Sequence, residues 1–174
     1  MIRKLNNYVT VIAALLIAIA LPPASWAGST ADLPDGSKLD LSAVCPVCNM
    51  KVDSTTLGPA AVVLKDGKVI GFDGAGDMIR YVLAPAQYGG DPKQISHMFV
   101  TLSGGKAFAD ATKAVYVLGS DVKDNMGPAL VPFAHRADAE KFKAAHHGTR
   151  IATFGELKPA DVAHPKKRLK MKGH

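Results

Sequence analysis

The chain predicts an α+β fold made of two related ββαβ halves, each with antiparallel sheet and one helix. Three observations carry that expectation. Two β-rich runs, Ala60–Leu64 and Val69–Phe72, flank Asp66-Gly67, a strong hairpin signal. Apolar residues at helical spacing then follow, at Met78, Ile79, Val82 and Leu83. The order strand, strand, helix, strand recurs later in the chain, which implies strands and helices mixed within each half.

The polar, turn-rich stretch 28–41, with Pro34-Asp35-Gly36-Ser37, reads as an extended leader. Asp73 is placed to N-cap the first helix, and Pro85 with Gly89-Gly90 closes that segment. The run His97-Met98-Phe99-Val100-Thr101-Leu102 predicts a strand ended by Gly104-Gly105. In the second half, 114–119 predicts a strand, 121–128 a loop, and 129–133 a short strand that Pro132 confines to an edge or terminus. Residues 138–147 predict a helix with Ala139, Phe142 and Ala145 as its apolar stripe and Gly148 as its stop; 150–154 is the last strand. Asn49-Met50 and Asn125-Met126 echo one another, as do Phe72 and Phe133, consistent with a divergent duplication. The expected organisation is a signal peptide at 1–27, a flexible leader at 28–44, halves at 45–103 and 104–157, and a basic flexible tail at 158–174.

The signal reading rests on Arg3 and Lys4 ahead of an apolar run at 9–21, then Pro22-Pro23 and the small residues of Ser25-Trp26-Ala27. That run is shorter than the roughly 20 apolar residues of a membrane span. It implies export to an oxidising compartment, where a pair of cysteines can close into a disulfide. The formal charge of +6 is concentrated at the ends. Of 21 basic residues, two lie in the signal and five in 166–172, leaving 14 against 15 acidic ones. The balance excludes a nucleic-acid-binding face and leaves the tail a weak contact with an anionic membrane surface.

Both cysteines fall in Cys45-Pro46-Val47-Cys48-Asn49-Met50. Two thiols and a thioether within six residues are soft donors, which favour Cu(I) over hard cations. A zinc ribbon would need a second Cys pair or spaced histidines. The same residues also read as a Cys45–Cys48 disulfide with Met50 as core filler. In an extended backbone Cys48 and Met50 would face one side. Met126, in the polar loop Asp124-Asn125-Met126-Gly127-Pro128, has little core to fill and is a further ligand candidate. Met78 and Met98 sit in apolar periodic segments and read as packing residues, and adjacent His146-His147 diverge too far to chelate one ion. No hydrolase elbow, P-loop or dinucleotide fingerprint is present, so catalysis is not indicated.

Cys48-Asn49-Met50-Lys51-Val52, Phe72-Asp73-Gly74, the run 114–120, Met126-Gly127-Pro128 into Val131-Pro132-Phe133, and His147-Gly148 together resemble the NosL family of exported copper chaperones for nitrous oxide reductase assembly. The resemblance spans about 45–157. It implies Cu(I) held by Cys48, Met50 and Met126, with Cys45 auxiliary, and delivery to nitrous oxide reductase or its membrane assembly machinery. Asn49 stands where the family has glycine, and the family's usual lipid-attachment cysteine is missing, which implies a soluble periplasmic form. The alternative is a thiol–disulfide oxidoreductase using the Cys45/Cys48 pair, although no helix signal follows the motif to depress a thiol pKa.

Overall fold

A computed structural model describes residues 29–55, 57–104 and 107–163. The signal expected at 1–27 lies outside them, as does the tail expected at 158–174 from residue 164 onward; its first six residues are ordered against the first helix and are not a flexible tail. The stretch expected as an extended leader is instead a hairpin of β1 (Thr30–Asp32) and β2 (Lys38–Asp40), paired Thr30 to Asp40 and Asp32 to Lys38. Its turn closes through Gly36 at φ 85°, a backbone conformation that glycine adopts without strain. Leu33 and Leu39 are buried with Val52, Ala61, Val63 and Phe99, so these leucines, hidden among polar residues in the sequence, anchor the hairpin to the sheet behind it.

β3 (Ala60–Leu64) and β4 (Val69–Phe72) form the expected hairpin, with Gly67 at φ 85° in the connection. α1 (Ala75–Leu83) follows, then β5 (Ile95–Thr101) and β6 (Phe108–Asp110), giving a four-stranded antiparallel sheet ordered β4-β3-β5-β6. β3 is central and buried on both faces. Ala60 and Val62 face the core under α1, while Ala61 and Val63 face the β1–β2 hairpin. That explains its unbroken apolar run where a half-exposed strand would alternate.

β7 (Val115–Leu118) starts the second unit. A minimal hairpin of β8 (Lys123–Asp124) and β9 (Gly127–Pro128) interrupts it before β10 (Val131–Phe133), α2 (Arg136–Ala145) and β11 (Arg150–Thr153). The sheet order is β10-β7-β11, so both units place their first strand at the centre and run ββαβ, as the sequence order implied. Pro132 sits on an edge strand, where its missing N–H leaves no gap between strands. α2 begins two residues earlier than expected and ends at Ala145. His147 takes the left-handed conformation (φ 55°), and the Gly148 N–H donates to the Lys143 carbonyl at 2.8 Å.

One core spans both units, joining Val62, Phe72, Met78 and Val100 to Tyr116, Leu118, Leu130 and Ala152. The Tyr116 hydroxyl donates to the Ala111 carbonyl at 2.6 Å inside it. At the edge, the Ser103 N–H donates to the Pro132 carbonyl at 2.8 Å. The last described segment folds back as a short 3-10 turn, Pro159–Val162, against α1, with Val162 buried. Among the described residues no helix is long and apolar enough to cross a membrane.

Candidate metal centre

The cysteine motif folds as a tight loop rather than an extended run. Val44 bridges Lys51 across its base, the Cys45 N–H donates to the Met50 carbonyl at 2.8 Å, and the Asn49 N–H returns to the Cys45 carbonyl at 2.9 Å. Asn49 takes φ 62°, the left-handed region that Asn tolerates better than other side-chain-bearing residues. The same-side argument for Cys48 and Met50 therefore does not apply, although one turn holds both. Backbone N–H groups of Cys48 and Val47 in the turn, and of Asp73 at the entry to α1, favour the Cys45 thiolate, and that of Met50 favours the Cys48 thiolate, although burial outweighs them. Such donors stabilise a thiolate once it forms. Both cysteines are free thiols, so the disulfide reading is not what this structure holds.

Beneath the loop lie two carboxylates from the start of α1. One ligand atom from each of Cys45, Cys48, Asp73 and Asp77 falls within 4.8 Å of the others. Asp73 is not the N-cap. Gly74 occupies that position without a side-chain cap, which frees the Asp73 carboxylate to turn inward. The Cys45 thiol donates to Asp77 Oδ2 at 3.5 Å, and Asp77 Oδ1 is taken by the Arg80 guanidinium. Asp73 Oδ1 is buried with no hydrogen-bond partner. Burial, reinforced by the Asp77 charge, pushes the Asp73 carboxyl above its ordinary range, and burial pushes both thiols up. Four groups that ionise to anions, crowded out of water, repel one another unless a cation joins them. The donor set of two sulfurs and buried carboxylate is suited to a metal ion.

Met126 comes to this region on the β8–β9 hairpin, whose two-residue tip is Asn125-Met126. Two contacts seat that tip on the first unit. Asn125 Nδ2 donates to the Ser54 carbonyl and hydroxyl at 3.3 and 3.1 Å. Asp124 lies against α1, where a methyl group on Gly76 would meet its Oδ2 at 3.7 Å. The Met126 N–H holds the other Asp124 oxygen at 2.8 Å. A cavity of about 240 Å³ opens beside the tip, lined by Gly76, Arg80, Asp124, Met126, Leu130 and Val162 among others. Met126 is half-buried along its wall.

The fold thus brings Cys45 and Cys48 together, keeps Met50 in the same loop, and carries Met126 to the adjoining hairpin. The sequence reading missed Asp73 and Asp77 as site residues. The signal was two acids flanking the entry to one helix, Asp73 just before it and Asp77 in its first turn. Met78 is fully buried and Met98 partly so, as packing residues. His146 pairs with Asp121 at 3.1 Å and stacks on Phe142, so it serves the end of α2. A larger open hollow of about 740 Å³ between α2 and β11 is lined by Arg136, Lys143 and Arg150 and contains no sulfur donor.

Comparison with known proteins adds four findings. The family model described as NosL matches residues 37–162. The copper-binding lipoprotein NosL of Stutzerimonas stutzeri is 32% identical over 120 residues, covering 67% of this chain and 62% of that protein, less than two thirds of its length. The crystal structure of the copper chaperone NosL from Shewanella denitrificans superposes with a TM-score of 0.61 at 24% identity, covering 70% of this chain and 93% of that one, and shares its fold. The solution structure of apo-NosL from Achromobacter cycloclastes aligns at 26% identity with a TM-score of 0.45, over 63% of this chain and 92% of that one.

Proposed function

The chain belongs to the NosL family, and on that premise we propose that it is an exported copper carrier that binds Cu(I) at the Cys45–Met50 loop. The observation that carries the reading is the loop itself, two thiols met by backbone N–H donors above a buried carboxylate oxygen that has no partner. Cys48 supplies the principal thiolate, Met50 and Met126 the thioethers, and Cys45 a second, more deeply buried sulfur. Asp73 joins them as a neighbouring anion. Soft sulfur suits a monovalent copper ion, and neutral thioethers add ligands without adding charge. Binding displaces the thiol protons that burial otherwise retains.

Release follows from the same chemistry. Thioether ligands are weak enough to be replaced one at a time by the ligands of an acceptor, here nitrous oxide reductase or its assembly machinery in the periplasm. A disulfide oxidoreductase needs an attacking thiol of depressed pKa. The Cys48 thiol is pushed up, and the motif leads into a β-bridge instead of a helix N-terminus. Cu(I) titration of the reduced protein against a competing chromophoric chelator tests the proposal. Cys48→Ala abolishes tight binding and Cys45→Ala weakens it only partly; equal losses from both overturn the ligand assignment. Transfer to copper-free nitrous oxide reductase, followed by the appearance of its copper absorption, tests the acceptor.

A further inference from the structure

We propose that Arg80 sets the charge preference of the centre, reserving it for a monovalent ion against divalent competitors. The inference rests on the proposed metal-binding role of the Cys45/Cys48/Asp73/Asp77 cluster. Left to themselves, two cysteines and two buried carboxylates make a mixed sulfur–oxygen set that a borderline divalent cation such as Zn²⁺ would accept. Arg80 changes that balance in two ways. Its guanidinium occupies Asp77 Oδ1, so the carboxylate is already committed to a fixed cation. It also places a positive charge beside the cluster permanently, because guanidinium does not lose its proton in proteins.

The guanidinium is clamped in place. Its Nε donates to the Val162 carbonyl at 2.6 Å, on the segment folded back over α1, and the side chain is 15% exposed. Among the described residues Arg80 is the cation paired with this group of acids; Asp73 and Asp124 have no ion-pair partner. Repulsion between a fixed charge and a bound ion scales with the charge of the ion. Arg80 therefore disfavours a divalent ion twice as strongly, in free energy, as a monovalent one at the same position. In binding constants the effect on the divalent ion is the square of the effect on Cu(I).

The experiment measures Cu(I) and Zn²⁺ affinities of the reduced protein by chelator competition, for wild type, Arg80→Gln, Arg80→Lys and the double variant Asp77→Asn/Arg80→Gln. Arg80→Gln tightens both ions unequally, by about 3-fold for Cu(I) and about 10-fold for Zn²⁺ if the local interaction is near 0.7 kcal/mol per unit charge. Arg80→Lys keeps the charge but not the planar two-sided clamp, and holds the wild-type preference. The double variant removes Asp77 and its guanidinium partner together, so neither member of that pair is left buried without the other, and it returns the Zn²⁺ to Cu(I) ratio to the wild-type value or below. Equal factors for both ions in Arg80→Gln overturn the inference, as does a lysine variant that behaves like glutamine or a double variant that keeps the Arg80→Gln ratio. Failure of the underlying binding proposal looks different: the wild-type protein then takes up no Cu(I).

Discussion

At Asp73 a carboxylate oxygen is buried without a donor beside a second acid, an arrangement that costs folding free energy until a cation reaches it. Because its pKa in the folded protein lies above the ordinary value of 3.8, the native state keeps a proton that the unfolded chain has released. The carboxylates of Asp35, Asp40, Asp110 and Glu156, whose pKa values are lowered, act in the other sense, so the readout is the difference between wild type and the Asp73 variant. Asp73 itself contributes a loss of stability to the metal-free protein as pH rises from near 3.8 through its raised pKa. Asp73→Asn removes that slope and stabilises the metal-free form at neutral pH by about 1 kcal/mol, while weakening metal binding. Urea unfolding at pH 4 and pH 7 checks the first half and chelator competition the second. A variant less stable than wild type at neutral pH would show that the carboxylate is satisfied without metal. Asp73 was legible as a helix-start residue, but the inward turn of its side chain was not, since capping and burial ask for the same residue type.

The β8–β9 hairpin shows how an element too short to signal itself can matter. Two-residue strands carry no readable alternation, so this stretch looked like a loop. Its tip is nonetheless seated by Asn125 on Ser54 and by Asp124 against α1. Asn125→Ala removes exposed hydrogen bonds and lowers global stability by no more than about 1 kcal/mol. It leaves the Met126 loop less pre-organised, so Cu(I) affinity falls by about 3- to 10-fold. Unchanged affinity would remove the hairpin from the site. The β3–β4 hairpin was legible for the opposite reason: strands long enough to show their composition flank an Asp-Gly turn. The β1–β2 hairpin was missed because two buried leucines among charged residues do not make a pattern.

For the whole molecule, the shared core couples the two units. Leu118 in β7 lies with Val62, Phe72 and Val100 of the first unit in one buried cluster. Leu118→Ala therefore destabilises the protein by about 2–4 kcal/mol. Native-state hydrogen exchange of the β3 amides, in the other sheet, then accelerates by the same free energy. Protection of β3 that stays unchanged would mean that the units unfold separately. The proposed metal centre depends on this coupling, since its cysteine loop and acids belong to the first unit and Met126, the proposed thioether ligand, to the second.

The order of strands and helices, the sulfur donors and the family resemblance follow from local pattern, because period, turn chemistry and ligand softness are properties of neighbouring residues. What tertiary structure alone decided is the company those sulfurs keep. Cys45 and Asp77 stand 32 residues apart yet meet at 3.5 Å, and the Arg80 guanidinium reaches the Val162 carbonyl across 82 residues. No local period encodes such meetings. They follow from how a sheet, a helix and a returning segment share one buried volume.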